Sequence, residues 1–170
     1  MQITAIVGNP KELSRTFTIA REITSQLAVF IEEQGKQLTD QLVIDLAPYA
    51  GSIIQWGHPE VQKLLELVAG SDIVIIATPT YKATYTGLLK LFIDMVPPNA
   101  WAGKFAIPVM VGGSPHHSMA VETYLRPLLT ETGAIVPVRG LYMMESQMEE
   151  LPAVVSNWIE ESRFGLSCML

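Results

Sequence analysis

The chain has a single cysteine, Cys168, among 170 residues, so no internal disulfide can form, and this suits a reducing cytoplasm. No apolar run approaches the ~20 residues that cross a bilayer, and Met1-Gln2-Ile3-Thr4 lacks the basic start of a secretory signal. These absences point to a cytoplasmic chain without a membrane role. Lys and Arg number 11 against 17 Asp and Glu, with no basic stripe, which excludes nucleic acid as a partner because phosphate-backbone binding needs clustered cations. Internal repeats, low-complexity segments and interdomain linkers are also missing. What is abundant is apolar: 49% of residues are hydrophobic and mean hydropathy is +0.29. One domain spanning 1–170 can bury a substantial core at this length. The remaining apolar surplus implies surface covered by further copies of the chain, as a homodimer or homotetramer.

Strand and helix signals alternate along the chain. Ile3 to Gly8 is a short apolar run that reads as a buried strand. Ser14 can cap a helix over Thr18 to Gln34, with Ile19, Ile23, Leu27, Phe30 and Ile31 on one face and Gly35 as its stop. Gln41 to Leu46 is a second strand, and Ala47 to Pro59 reads as a long loop. Glu60 to Ala69 is a short helix with Val61, Leu64, Leu65 and Val68 inward. Ile73 to Ala77 is the clearest buried strand, ended by Pro79. Gly87 to Val96 reads as a helix, Phe105 to Val111 as a strand, Met119 to Thr132 as a helix with Pro127 awkwardly inside it, Ile135 to Leu141 as a fifth strand, and Glu149 to Glu161 as a last helix. This rhythm implies a parallel sheet covered on both faces, doubly wound in the order 2-1-3-4-5. The ligand of such a sheet sits beyond the carboxyl ends of its strands, where the order reverses.

Three loops fall there. The first, Gly8 to Thr16, joins a buried strand to a helix start, where free N–H donors and the positive dipole end suit a phosphate. Ser14 and Thr16 add hydroxyls, Arg15 a planar cationic fork and Lys11 a further charge. The loop is neither G-x-x-x-x-G-K-[ST] nor G-x-G-x-x-G, so a single terminal phosphate suits it better than a pyrophosphate. Read plainly, Ser14 is an N-cap and Arg15 a solvated charge. The second loop, Ala77 to Gly87, turns at Pro79, after which Thr80, Tyr81 and Lys82 offer backbone groups and an aromatic wall to a flat ring; an ordinary turn with Thr86 as the next cap is the plainer reading. The third, Gly112-Gly113-Ser114-Pro115-His116-His117-Ser118, allows close approach of a ligand at its paired glycines. Adjacent histidines without a nearby Cys, Asp or Glu make a poor ligand set, so they read as donors at a ring edge or as loop residues, not as a metal site. Trp56 and Trp101 fall in loops and would cover the pocket or, better, an interface; Met143, Met144 and Met148 would pack or face a partner.

Together the three loops resemble the NADPH-dependent FMN reductase family of flavodoxin-like proteins, in particular the flavin reductases that serve bacterial alkanesulfonate monooxygenases. The matching segments are Gly8-Asn9-Pro10-Lys11 with Ser14-Arg15-Thr16, then Ala77 to Ala83 with Gly87-Leu88-Leu89-Lys90, then Gly112-Gly113-Ser114 with His117, Ala120-Val121 and Arg126-Pro127. The resemblance implies a three-layer α/β/α fold, FMN held with its phosphate at Ser14, Arg15 and Thr16 and with Asn9 and Lys11 as further cofactor-binding residues of that loop, its ring and ribityl side along Pro79, Thr80, Tyr81 and Lys82, and its pyrimidine side closed by Gly112, Gly113 and Ser114, with His117 nearby. NADPH or NADH would supply the hydride, and a flavin-dependent monooxygenase is the candidate recipient of reduced FMN. Asn9 stands where the family often has serine and Lys11 where it often has arginine. Relatives carry an irregular turn with an interface tyrosine in the fourth helix; Tyr124 lies near that place and is assigned no role.

The implied chemistry is carried by the two nucleotides, so ring stacking and water exclusion matter more than a side-chain acid or base, and no catalytic residue is expected. Backbone N–H groups near Gly113 and Ser114 would meet charge that develops at the flavin N1–C2=O edge. The main alternative is a quinone, azo-dye or chromate reductase that keeps its FMN. An electron-carrier flavodoxin would have a phosphate loop richer in Ser and Thr. A phospho-acceptor receiver is excluded, because Gly8-Asn9 and Thr78-Pro79 stand where its acidic residues would be.

Overall fold

The structure, a computed structural model, describes residues 1–170. Its strands are β1 (Gln2–Val7), β2 (Asp40–Asp45), β3 (Ile73–Pro79), β4 (Phe105–Gly112) and β5 (Leu141–Met144), all parallel in the order β2-β1-β3-β4-β5. The helices are α1 (Arg15–Glu33), α2 (Ala50–Ile53), α3 (Pro59–Ala69), α4 (Gly87–Ile93), α5 (Arg126–Glu131) and α6 (Leu151–Ser167). The period-2 alternation of each strand sends side chains to opposite faces. On one face Ile3, Ala5, Val7, Ile73, Ile75 and Val109 pack against α1 and α6 in a core of 25 buried residues; on the other Ile6, Val74, Ile76 and Met110 pack against α3, α4 and α5 in a core of 21. Two cores of similar size make three layers, as the alternating pattern requires.

Helix α1 follows its sequence closely. Ser14 caps it by accepting from Phe17 N at 3.3 Å, and Ile19, Ile23, Leu27, Phe30 and Ile31 are all buried. Gly35 follows its end with φ of 76°, the left-handed conformation that stops a helix. Two expected spans differ in detail. The loop over Ala47–Pro59 contains a 3₁₀ turn (Ala47–Tyr49) and α2, anchored by buried Ile53. Helix α4 ends at Ile93, three residues earlier than its apolar pattern suggests. No helix is long and apolar enough to cross a membrane.

The fifth strand is the main correction. It runs over Leu141–Met144, not Ile135–Leu141. Ile135 makes only an isolated bridge to Phe105, its carbonyl accepting from Ala106 N at 2.8 Å. The next position on that edge of β4 is Pro108, which has no N–H to offer, and pairing resumes only at Val109 with Leu141. Between those points the backbone bonds to side chains instead. Arg126 donates to the carbonyls of Val136 and Val138, and Gly140 N donates to Glu122 Oε1 at 2.6 Å. Arg126 and Glu122 are themselves paired one turn apart.

Pro127 also finds its explanation. Residues Val121–Leu125 form a π-helical turn that runs on into α5, with Arg126 N donating to Val121 O, and the widened turn just before Pro127 accommodates a residue with no N–H. Trp101 is a second correction: it is 1% exposed and belongs to the core beside α3 and α4, so it neither covers the cleft at the strand ends nor presents a face to a partner. Met143 is likewise buried, whereas Trp56 is exposed.

Candidate active site

The carboxyl ends of β1, β3 and β4 bring the three loops together. Gly8 N donates to Ala77 O at 2.8 Å, and the Thr86 hydroxyl, which caps α4 by accepting from Leu89 N, donates to Gly8 O. Thr86 N in turn donates to Thr78 Oγ1 at 3.2 Å. A Cβ on Gly8 would lie 2.5 Å from Leu89 Cβ, so glycine is needed here for helix packing. The first and second loops are thus tied through one capping threonine.

A cleft of about 260 Å³ opens between them, lined by Asn9, Lys11, Leu13, Ser14, Arg15, Thr16, Pro79, Tyr81, Val111 and Glu145. Asn9 is buried and shapes the loop: its Nδ2 donates to Thr16 Oγ1 at 3.1 Å and its Oδ1 accepts from Lys11 N at 2.9 Å. Leu13 holds φ of 47°, and its N–H donates to Asp45 Oδ2 at 2.9 Å from the end of β2. A left-handed non-glycine residue costs about 1–3 kcal/mol, which the surrounding bonds must offset. Ser14 and Thr16 Oγ each accept a bond from within the loop and helix, so each hydroxyl keeps its proton for another acceptor. The N–H groups of Arg15 and Thr16, at the first turn of α1, have no partner within the helix. Arg15 Nη1 reaches Glu145 Oε2 at 3.0 Å.

Past Pro79 the chain makes a tight turn. Tyr81 N donates to Thr84 O at 2.9 Å and Thr84 N to Tyr81 O at 3.2 Å, with Lys82 and Ala83 both left-handed at φ of 52° and 66°. Thr80 N is fixed to Val111 O at 2.7 Å, leaving Tyr81 and Lys82 projecting into solvent. Thr80 Oγ1 is buried without a hydrogen-bond partner of ordinary geometry, although it lies near enough to the Tyr142 hydroxyl to influence it. Tyr142 donates to Ser114 O at 2.6 Å and so holds the third loop. Burial pushes its phenol above the ordinary 10.0. It is therefore a neutral donor throughout the physiological range.

Of the expected residues, Asn9, Lys11, Ser14, Arg15, Thr16, Pro79 and Tyr81 line this one cleft. Thr80, Lys82, Gly112, Gly113 and Ser114 lie on the adjoining turns, outside its lining; His117 ends an exposed 3₁₀ turn over Pro115–His117. No group of three or more His, Cys, Asp or Glu side chains is placed to hold a metal ion. Asp45, Tyr142 and Glu145 were not foreseen. The last two follow the misplaced fifth strand, and only the corrected register puts Tyr142 beside Met110 and the third loop beyond it.

A parallel sheet in this order, with its cleft beyond the strand ends at the point of reversal, defines a flavodoxin-like α/β protein. The comparison with known sequences narrows the class: the chain belongs to the NADPH-dependent FMN reductase family, whose model matches residues 1–149. It is 30% identical over 148 residues to an FMN reductase (NADPH) of Pseudomonas putida, covering 87% of this chain and 73% of that protein. An FMN reductase (NADPH) of Escherichia coli is 30% identical over 151 residues, covering 87% and 75%. Among solved structures, the apo form of an NADH:FMN oxidoreductase superposes with a TM-score of 0.80 at 29% identity, covering 98% of this chain and 89% of that one.

Proposed function

We propose that this chain is an NAD(P)H-dependent FMN reductase that docks the FMN phosphate where α1 begins. The observation that carries the reading is the convergence, in one cleft, of the open first turn of α1, the uncommitted hydroxyl protons of Ser14 and Thr16, and the cations Lys11 and Arg15. Each element suits a phosphate dianion, and the family membership names the nucleotide that brings it. The cleft's size suits the phosphate and adjoining chain. The turns at Pro79–Lys82 and Gly112–Ser114 would hold the isoalloxazine, with Tyr81 beside it and the Gly113 and Ser114 N–H groups as donors at its edge.

When bound, FMN supplies the acceptor for a hydride from reduced nicotinamide. The chain's own part is positional. It anchors the tail, fixes the turns that set ring height and offers N–H donors to developing negative charge. Nothing in that role requires a titrating side chain. Relatives named for NADPH and a similar structure named for NADH support either nicotinamide as donor. A flavin-dependent monooxygenase is the proposed recipient of reduced FMN. A homo-oligomer is proposed to cover exposed apolar side chains such as Val29, Leu67, Leu91, Tyr124 and Phe164.

The test is to purify the chain, record its visible spectrum, and follow NAD(P)H oxidation with and without added FMN. Turnover that depends on added FMN is the expected result. A tightly held flavin that copurifies and passes electrons to a quinone or azo dye would support the retained-flavin alternative. No flavin uptake and no NAD(P)H oxidation would reject both.

A further inference from the structure

We infer that Glu145 sets how loosely this chain holds a flavin phosphate, by taking the Arg15 guanidinium whenever the phosphate is away. The inference rests on the reading that the phosphate docks where α1 begins. Glu145 is the one acidic side chain lining the cleft. It comes from the far side, just after β5, and its Oε2 lies 3.0 Å from Arg15 Nη1. The other carboxylate near the loop, Asp45, is already spent on Leu13 N and Ala47 N. The backbone beside Glu145 is fastened by Met144 N donating to Gln147 Oε1 at 2.9 Å, so loop displacement does not readily carry the carboxylate off.

Arginine has five N–H donors, so a bridging role is the rival: Glu145 would aim Arg15 at the phosphate and strengthen binding. Exposure decides between them. The two side chains are 60% and 44% exposed, and pairs this open contribute little when formed, so little orientation is gained. When Arg15 turns to a phosphate it gives up the Glu145 carboxylate, at a cost of up to about 1 kcal/mol, and that cost exists only while Arg15 is there to pair. Competition therefore outweighs orientation. The consequence is a flavin that exchanges readily, as a reductase that releases its reduced product requires.

The test titrates FMN and riboflavin into the full-length wild type, Glu145→Gln, Arg15→Ala and the double variant, reading flavin fluorescence. Glu145→Gln is expected to bind FMN about fivefold or more tightly, equivalent to about 1 kcal/mol. Riboflavin, which has no phosphate, should move by less than about twofold, and in the Arg15→Ala background the FMN gain should shrink below about twofold. Unchanged or weaker FMN binding by Glu145→Gln would overturn the inference in favour of the bridging role. An equal gain with and without Arg15 would overturn it in favour of a general charge effect. No FMN uptake by the wild type would reject the flavin reading itself, and the inference with it.

Discussion

The Tyr142 hydroxyl occupies the space that a side chain on Gly112 would need: a Cβ there would lie 1.9 Å from that oxygen and 2.8 Å from Cζ. The missing side chain at the end of β4 lets a tyrosine from β5 cross over and hold the carbonyl of Ser114. A glycine chosen for ligand approach and a glycine chosen for this crossing look alike in sequence, and here the second demand is explicit. Gly112→Ala is expected to lower stability by about 1–3 kcal/mol through overpacking, a fall in Tm of roughly 3–10 °C for a chain of this size. Thermal denaturation checks it. Combining the change with Tyr142→Ala removes the obstacle, so the pair should cost less than the sum of the two.

Tyr142→Phe keeps the ring and deletes one hydrogen bond, the one to Ser114 O at 2.6 Å. Stability should fall by only about 0.5–1.5 kcal/mol. The third loop, freed at Ser114, should close less well on the flavin, so the KM for FMN is expected to rise about two- to tenfold with kcat changed less. Steady-state kinetics at saturating NAD(P)H measures it. An unchanged KM would mean that Ser114 is held adequately by its own turn.

Sheet order and the helix faces were legible because they rest on periodicities that burial enforces: Ile19, Ile23, Leu27, Phe30 and Ile31 recur at helical spacing and all are buried. The phosphate-end residues were legible because a helix start has a short local signature, with Ser14 at the cap. The fifth strand was not. Ile135 to Leu141 is apolar enough for a strand, but its pairing depends on Pro108, a residue of another strand nearly thirty positions earlier, and on the distant side chains of Glu122 and Arg126. Trp101 was misplaced for a related reason. Its neighbours read as loop, and burial of a loop tryptophan is decided by what packs over it. Glu145 lies beside Arg15 at a sequence separation of 130, a proximity that follows from the fold alone.

Glu122 gives the stability a pH dependence of defined sign. Partial burial pushes its carboxyl up, but the Arg126 guanidinium, the Gly140 N–H and nearby Arg139 outweigh that and hold it below the ordinary 4.5. A carboxyl whose pKa is depressed by folding stabilises the native state above its unfolded value, and that contribution is lost as pH falls through the folded value. Glu122→Gln should therefore lower Tm at neutral pH, by an amount corresponding to about 1–3 kcal/mol. The gap between variant and wild type should stay constant down to about 4.5 and narrow below it. Tm measured from neutral to acid pH checks both limbs; a gap that stayed the same in acid would mean that the Arg126 clamp on Val136 and Val138 does not depend on the Glu122 charge.

Arg15→Ala separates the phosphate from the ring. Arg15 is 60% exposed and its one protein partner is Glu145, so its removal should leave the fold intact, with Tm within about 2 °C of wild type. A charge-assisted bond to the phosphate contributes about 1.5–3 kcal/mol, so FMN binding should weaken at least about tenfold. Riboflavin carries the same ring without the phosphate, and its binding should weaken much less. Titration of both flavins into the same protein makes the comparison internal, because any collapse of the turns near Pro79 or Gly113 would reduce both affinities together. Equal losses would show that Arg15 does not touch the phosphate and would shift the anchoring role to Ser14, Thr16 and the first turn of α1. A selective loss for FMN would fix the tail at residues 14–16 and leave the ring only one direction in which to lie, toward the Pro79 and Gly112 turns.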